Sequence, residues 1–186
     1  MIFEMNYAEK VMDAVQEALN RFQKISEQKE KLDVRYGAEE IGSKGYSVEL
    51  QRLNDQRNAV LFDSRNNIAQ IGRDYAAAVN EKANNVDASM LNDDAKLLEL
   101  STFNPTQEQF EILVNKNRDN VLVTQMLQSF QEKRPYLSSV YVETPAARIS
   151  KFDDYTAKAL FVLSNPDSLQ AAFFLDGKYT PNNTEI

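Results

Sequence analysis

The sequence predicts an all-α protein: a long antiparallel helical hairpin of coiled-coil type, followed by a compact bundle of short helices. Three observations carry this. From Ala8 to Tyr36, apolar residues recur at steps of three and four: Ala8, Val11, Val15, Ala18, Phe22, Ile25, Leu32 and Tyr36, with Lys29 as the one interruption. A second stripe of the same kind runs from Tyr46 to Lys82. Between them lie Gly37, Gly42 and Gly45, three of only five glycines in 186 residues, and prolines number only five. Scarce Gly and Pro favour long helices over a strand-and-turn fold.

The first helix is expected to start near Asn6 as N-cap, with Glu9 early in the helix at its positive end. It should run about thirty residues, roughly 45 Å. Glu17 stands four before Arg21 and Glu27 four before Lys31, so the outer face carries opposite-charge pairs worth a few tenths of a kcal/mol each. Stability must come from burying the stripe, and Phe22, its largest central side chain, is expected inside. The glycine cluster is the hairpin turn, and Ser47 is the candidate N-cap of the returning helix. The second stripe reads Tyr46, Leu50, Leu53, Arg57, Leu61, Ser64, Ile68, Ile71, Tyr75, Ala78 and Lys82, with two successive steps of four around Arg57. Such a stutter relaxes the supercoil locally. The helix should end at Asn84-Asn85.

Residues 86–104 are transitional, with a short helix between Ala88 and Leu100 whose apolar residues are Leu91, Leu97, Leu98 and Leu100. Asn104-Pro105-Thr106 marks a boundary, and Thr106 with Gln109 has the spacing of a capping box. A third helix carries Phe110, Leu113 and Val114 on one face and stops at the polar run Asn115–Asn120. A fourth turns Val123, Met126, Leu127 and Phe130 inward and ends before Pro135. Val140-Tyr141-Val142-Glu143 suits either a short strand or an extended connection. Thr144-Pro145 opens a fifth helix through Ile149, Phe152, Tyr155, Ala159, Leu160 and Leu163. A short sixth helix follows Asn165-Pro166-Asp167, with Leu169, Ala172 and Phe173. The tail after Thr180 is polar, and mobility is expected there. Two domains result, residues 1–103 and 104–186.

Composition narrows the chemistry. Cys and His are both absent. Thiolate catalysis, disulfides, histidine general bases and the usual zinc or haem ligands go with them. Gly42-Ser43-Lys44-Gly45 lacks the spacing of a phosphate loop. Asp93-Asp94 is explained by a helix N-terminus and Asp153-Asp154 by a solvent-facing helix position, so no metal, no cofactor and no catalytic residue is expected. A net charge of −7 disfavours nucleic acid and anionic membranes as partners. No apolar run is long enough to span a bilayer, and Met1–Met5 has no basic n-region of a signal peptide. Met5 is an alternative start.

Several apolar residues fall beside the stripes: Met12 and Leu19 on the first helix, Val60, Phe62 and Val79 on the second. They widen the apolar face beyond what one partner helix covers. Phe173-Phe174, near Leu175 and Tyr179, places adjacent rings on a short helix, where one packs inward and the other faces out. Met12, Leu19, Val60, Phe62 and Phe174 are therefore the candidate interface residues, for a homo-oligomer or another protein partner.

The order of features resembles small helical proteins from the structural-gene region of phages and prophages of Gram-positive bacteria. The resemblance covers residues 5–134. It rests on the N-terminal charged and apolar helix, the Gly45-Tyr46-Ser47 break and the returning helix. Leu97-Leu98, Asn104-Pro105-Thr106-Gln107-Glu108-Gln109-Phe110, the Asn115–Asn120 break and Met126-Leu127 complete it. It implies a non-catalytic morphogenesis protein acting through protein contacts with virion or assembly components, cytoplasmic in the host cell or virion-associated. The alternative is a small inhibitor or accessory factor that binds a host enzyme, which clustered carboxylates would favour; here the acids are interspersed. Since no ligand set is evident, excess EDTA is expected to leave the thermal unfolding midpoint unchanged, and a large fall would reveal a metal site.

Overall fold

The computed structural model describes residues 2–177, with side chains from Tyr7 onward. Among these residues the chain is helical, without strands. The helices are α1 (Ile2–Gly37), α2 (Ser43–Asn84), α3 (Asp93–Glu99), α4 (Gln107–Lys116), α5 (Val121–Glu132), α6 (Pro145–Ser164) and α7 (Leu169–Leu175). Short 3-10 turns lie at Ala88–Met90 and Pro135–Leu137. The chain forms two compact units. The first joins residues up to Asp74 with those from Phe152 on, and the second is Tyr75–Lys151. This partition is discontinuous in sequence, where the sequence reading divides the chain once, at 103/104.

In the first unit, residue numbers fall along α2 as they rise along α1, as an antiparallel pair requires. The Arg57 guanidinium lies 5.6 Å from the Phe22 ring centroid. The Tyr46 hydroxyl donates to Asp33 at 2.8 Å, and Tyr46 stacks on Tyr36 with centroids 4.5 Å apart. Val11, Ala14, Val15 and Ala18 of α1 are buried, as are Leu53, Val60, Ser64, Ile68 and Ile71 of α2. The later part of α6 and α7 pack onto the same unit. Tyr155 stacks on Phe174 at 5.2 Å and lies 6.0 Å from Phe152, which meets Tyr7 edge-on at 6.5 Å. The Tyr155 hydroxyl reaches the Ala8 carbonyl at 3.5 Å, and Arg65 donates to the Ser164 hydroxyl at 2.8 Å.

That third layer corrects the second stripe. Val60 is buried, Leu61 is half-buried and Arg57 is exposed, and in the second unit Val79 is buried as well. The buried line therefore passes from Leu53 to Val60, a step of seven that skips Arg57, and the paired fours fall around Ser64. A two-helix seam is too narrow a template where α6 and α7 also cover α2. Away from them the seam thins. Phe22, Ile25 and Leu50 are only half-buried, so Phe22 is not the enclosed centre its position suggests. The turn differs too. α2 begins at Ser43, so Ser47 lies inside it, and α1 includes Asn6, whose side chain is outside the described residues.

The second unit encloses Ala95, Phe110, Val114, Val123, Leu127, Phe130, Leu137 and Val142. Thr106 and Gln109 form the expected capping box on α4. Thr144 accepts from the Ala147 amide at 3.1 Å at the start of α6. Residues 140–144 form no strand and are an irregular connection with Val142 and Glu143 buried. The short helix expected within 88–100 is a 3-10 turn and then α3, and its inward residues are Asp94 and Ala95. Leu91, Leu97 and Leu100 are exposed.

α1 ends in a Schellman motif. The Glu40 amide donates to the Arg35 carbonyl at 3.0 Å and the Glu39 amide to Tyr36 at 3.1 Å. The left-handed position of that motif is normally glycine, and here it is Glu39 at φ 58°. The glycines fall on either side of it. Glu39→Gly is expected to stabilise the protein by about 0.5–1 kcal/mol, since a left-handed non-glycine residue costs roughly 1–2 kcal/mol and glycine's unfolded-state entropy offsets part of the gain. Urea unfolding measures it; an unchanged or lower midpoint would contradict this account of the turn.

Candidate interaction surfaces

The five candidate interface residues do not form one patch. Val60 and Phe174 are core, 4% and 1% exposed. For the adjacent rings on α7, the inward one is Phe174, held against Tyr155, and the outward one is Phe173. Ala171 faces inward with Phe174, while Leu169 is 79% exposed, so the buried face of α7 differs from the expected Leu169, Ala172 and Phe173. Tyr179 and the tail after Thr180 lie outside the described residues. Phe62 sits two residues past Val60, about 200° round the helix, and is 66% exposed. Met12 and Leu19 are seven apart, two turns on one flank of α1, and are half-buried.

The α1–α2 contact between Phe22 and Arg57 leaves its apolar residues partly wet. There Leu32 and Leu53 are enclosed and Phe22, Ile25 and Leu50 half-buried, while Val34 and Val48, two residues from seam positions and so on the far faces of their helices, are 71% and 62% exposed. The charges on this stretch pair locally. Lys29 bonds Asp33 at 2.7 Å and Arg52 bonds Glu49 at 2.8 Å. The Lys29 ammonium and the Tyr46 hydroxyl, both donating to Asp33, hold its carboxyl below the usual range. These exposed pairs set local geometry more than stability.

In the second unit the polar run Asn115–Asn120 has a structural function. Asn117 is 3% and Asp94 6% exposed. The Asn117 amide donates to Asp94 at 2.9 Å, and its carbonyl oxygen accepts from Asn92 at 2.7 Å. Asn92 also caps α3 by accepting from the Ala95 amide, and Lys116 reaches Asp94 at 3.0 Å. Asn120 caps α5 and donates to the Met90 carbonyl at 2.7 Å. The hydrogen bonds from Asn117 and Lys116 lower the Asp94 pKa. Asp93 is exposed on Lys96, and Asp153 and Asp154 face solvent as expected. No group of three acidic residues able to hold a metal occurs among the described residues. A second ionic cluster is set by Glu143, buried between Lys151 at 2.8 Å and Arg148 at 3.2 Å. Burial of these charges is tolerable because each meets an opposite charge.

The same unit carries an open groove of about 540 Å³ between the end of α3 and one face of α5. Leu98, Leu100, Leu122, Met126 and Phe130 form its apolar lining, and Lys133 and Arg134, just past the end of α5, stand at one end. Periodicity conceals it, because Met126 packs against the core, as its inward position on the helix predicts, and also lines the groove. The available signal was a second line on the helix, Leu122, Met126, Ser129 and Lys133, at steps of four, three and four. No helix among the described residues is long and apolar enough to cross a membrane.

Asp94 gives a pH test. Its folded pKa lies below the unfolded value, so its contribution is complete above about pH 4 and is lost as pH falls through the folded value. Asp94→Asn is expected to lower stability at neutral pH and to converge on wild type in acid. The check is the difference in urea midpoint between variant and wild type from pH 7 to pH 2. A constant difference would mean the carboxylate charge contributes nothing.

Comparison with known proteins adds no relative: no family model, no curated protein and no solved structure matches the chain.

Proposed function

We propose that this is a non-catalytic structural or assembly protein of phage type, a helical hairpin followed by a bundle, that works in several copies through protein contacts. One observation supports it above the others. The α1–α2 pair between Phe22 and Arg57 leaves its own seam incompletely covered, with Phe22, Ile25 and Leu50 half-buried, and Val34 and Val48 add exposed apolar surface on the outer faces of the two helices. A second copy packed along this stretch would complete a four-helix core from two helix pairs, a two-fold arrangement common in helical oligomers. The resemblance to phage structural-gene products suggests where it acts: the host cytoplasm during assembly, or the virion itself. The enzyme-inhibitor reading calls for carboxylates gathered on one face. On this stretch Asp33 and Glu49 pair with neighbouring cations instead.

Light scattering after gel filtration, over a range of protein concentrations, tests the reading. The expected mass is a multiple of the 21.2 kDa chain. Ile25→Glu, at a half-buried seam position, should return the protein to monomer with unchanged helicity by circular dichroism. A monomer mass at every concentration would sink the proposal.

A further inference from the structure

We propose that the α3–α5 groove is a docking site for an amphipathic helical segment of a partner protein that carries acidic residues at one end. The inference rests on the reading of a protein-contact protein but concerns a different surface from the self-association one.

The dimensions suit a short helix. The lining follows α5 from Leu122 and continues into the turn after it to Arg134, twelve residues on, and roughly 18 Å if measured along a helix axis. That is about three turns, the length over which a bound helix places residues i, i+4, i+7 and i+11 in a groove. Leu98, Leu122 and Met126 are half-buried, so apolar side chains already face the opening. Met and Leu adapt to varied partner shapes. The groove is open, which suits a helix laid along it rather than an enclosed small molecule.

The charges choose the partner. The Arg134 guanidinium lies 3.5 Å from the Phe130 ring centroid, and its two terminal nitrogens face the carbonyls of Phe130 at 3.4 Å and Phe103 at 3.5 Å. It is thus fixed in place before any ligand arrives, without a carboxylate within ion-pair distance among the described residues. Lys133 beside it also meets no carboxylate among the described residues. Glu99 is the one acid on the lining, so the groove carries a net positive charge on a protein of net charge −7. A partner carboxylate would meet a prepositioned cation, with little ordering cost at Arg134. Two cations are too few for a nucleic-acid backbone site, where several phosphates must be neutralised together.

The probe is a fluorescein-labelled synthetic helix of about four turns, with leucines at i, i+4, i+7 and i+11 and two glutamates in the last turn. Its twin has lysines in place of the glutamates. Fluorescence anisotropy with the full chain should show the glutamate peptide binding at least about tenfold more tightly than its twin. Lys133→Glu should erase or reverse that preference, and Met126→Lys should abolish binding of both. Lys133 is exposed, so its substitution leaves the fold intact, and circular dichroism checks Met126→Lys. Equal binding of the two peptides, no binding, or unaltered binding to the Met126 variant would overturn the proposal. So would a mass that halves on Met126→Lys, since the groove would then hold a second copy. A monomeric wild-type protein that still discriminates the peptides would end the self-association reading and leave this one standing.

Discussion

Two helices lying side by side have no interior. Each can bury one line of side chains against the other, and everything next to that line stays wet unless a third element covers it. The first unit depends on this constraint. α6 from Phe152 and the short α7 supply the cover, and burial follows them. Tyr155 is the central piece, flanked by Phe152 and Phe174, with its hydroxyl directed at the Ala8 carbonyl. Burial pushes that phenol up to about 12, so it stays neutral over the physiological range. Where α6 and α7 are absent, the helix pair becomes a thin contact patched by Tyr36 on Tyr46 and Arg57 on Phe22.

The second unit solves a different problem. Its helices are short, and short helices have many unpaired terminal amides and carbonyls for each residue buried. Asparagine answers this repeatedly. Asn92 and Asn120 each cap one helix while their amides reach a neighbouring segment. Asn117 closes α4 and ties it to Asp94. These side chains connect elements as well as ending them, so the polar breaks in the sequence act as joints in the fold.

Helix content, the capping box at Thr106 and Gln109, and the inward faces of α4 and α5 were all legible because they depend on local spacing. The errors arose where a long-range partner chooses the face. Val60 reads as a flank residue beside a two-helix seam and becomes core when a third layer arrives. Phe173 and Phe174 are equivalent on a short helix until the stacking on Tyr155 distinguishes them. Asp94 reads as a helix-dipole acid, and its burial follows from Asn117, 23 residues later. The groove beside α5 was hidden because Met126 fits a core stripe and a groove lining equally well. The glycine cluster correctly marked the turn but not the residue bearing the unusual backbone, which is Glu39.

The discontinuity of the first unit has a consequence for how the chain assembles. The bond from Tyr155 to Ala8 spans 147 residues of sequence, and the whole second unit lies within that loop. Closing so long a loop is entropically slow, and contacts of high sequence separation retard folding. The second unit is continuous and needs no distant strand of chain. On a ribosome it is fully synthesised before α7 exists, whereas α1 and α2 are made first and wait longest for their cover. During that interval the stripe around Val60 and Ile68 is exposed to whatever else is present, another nascent copy included. Vectorial synthesis thus leaves the helix pair as the segment most in need of a timely partner.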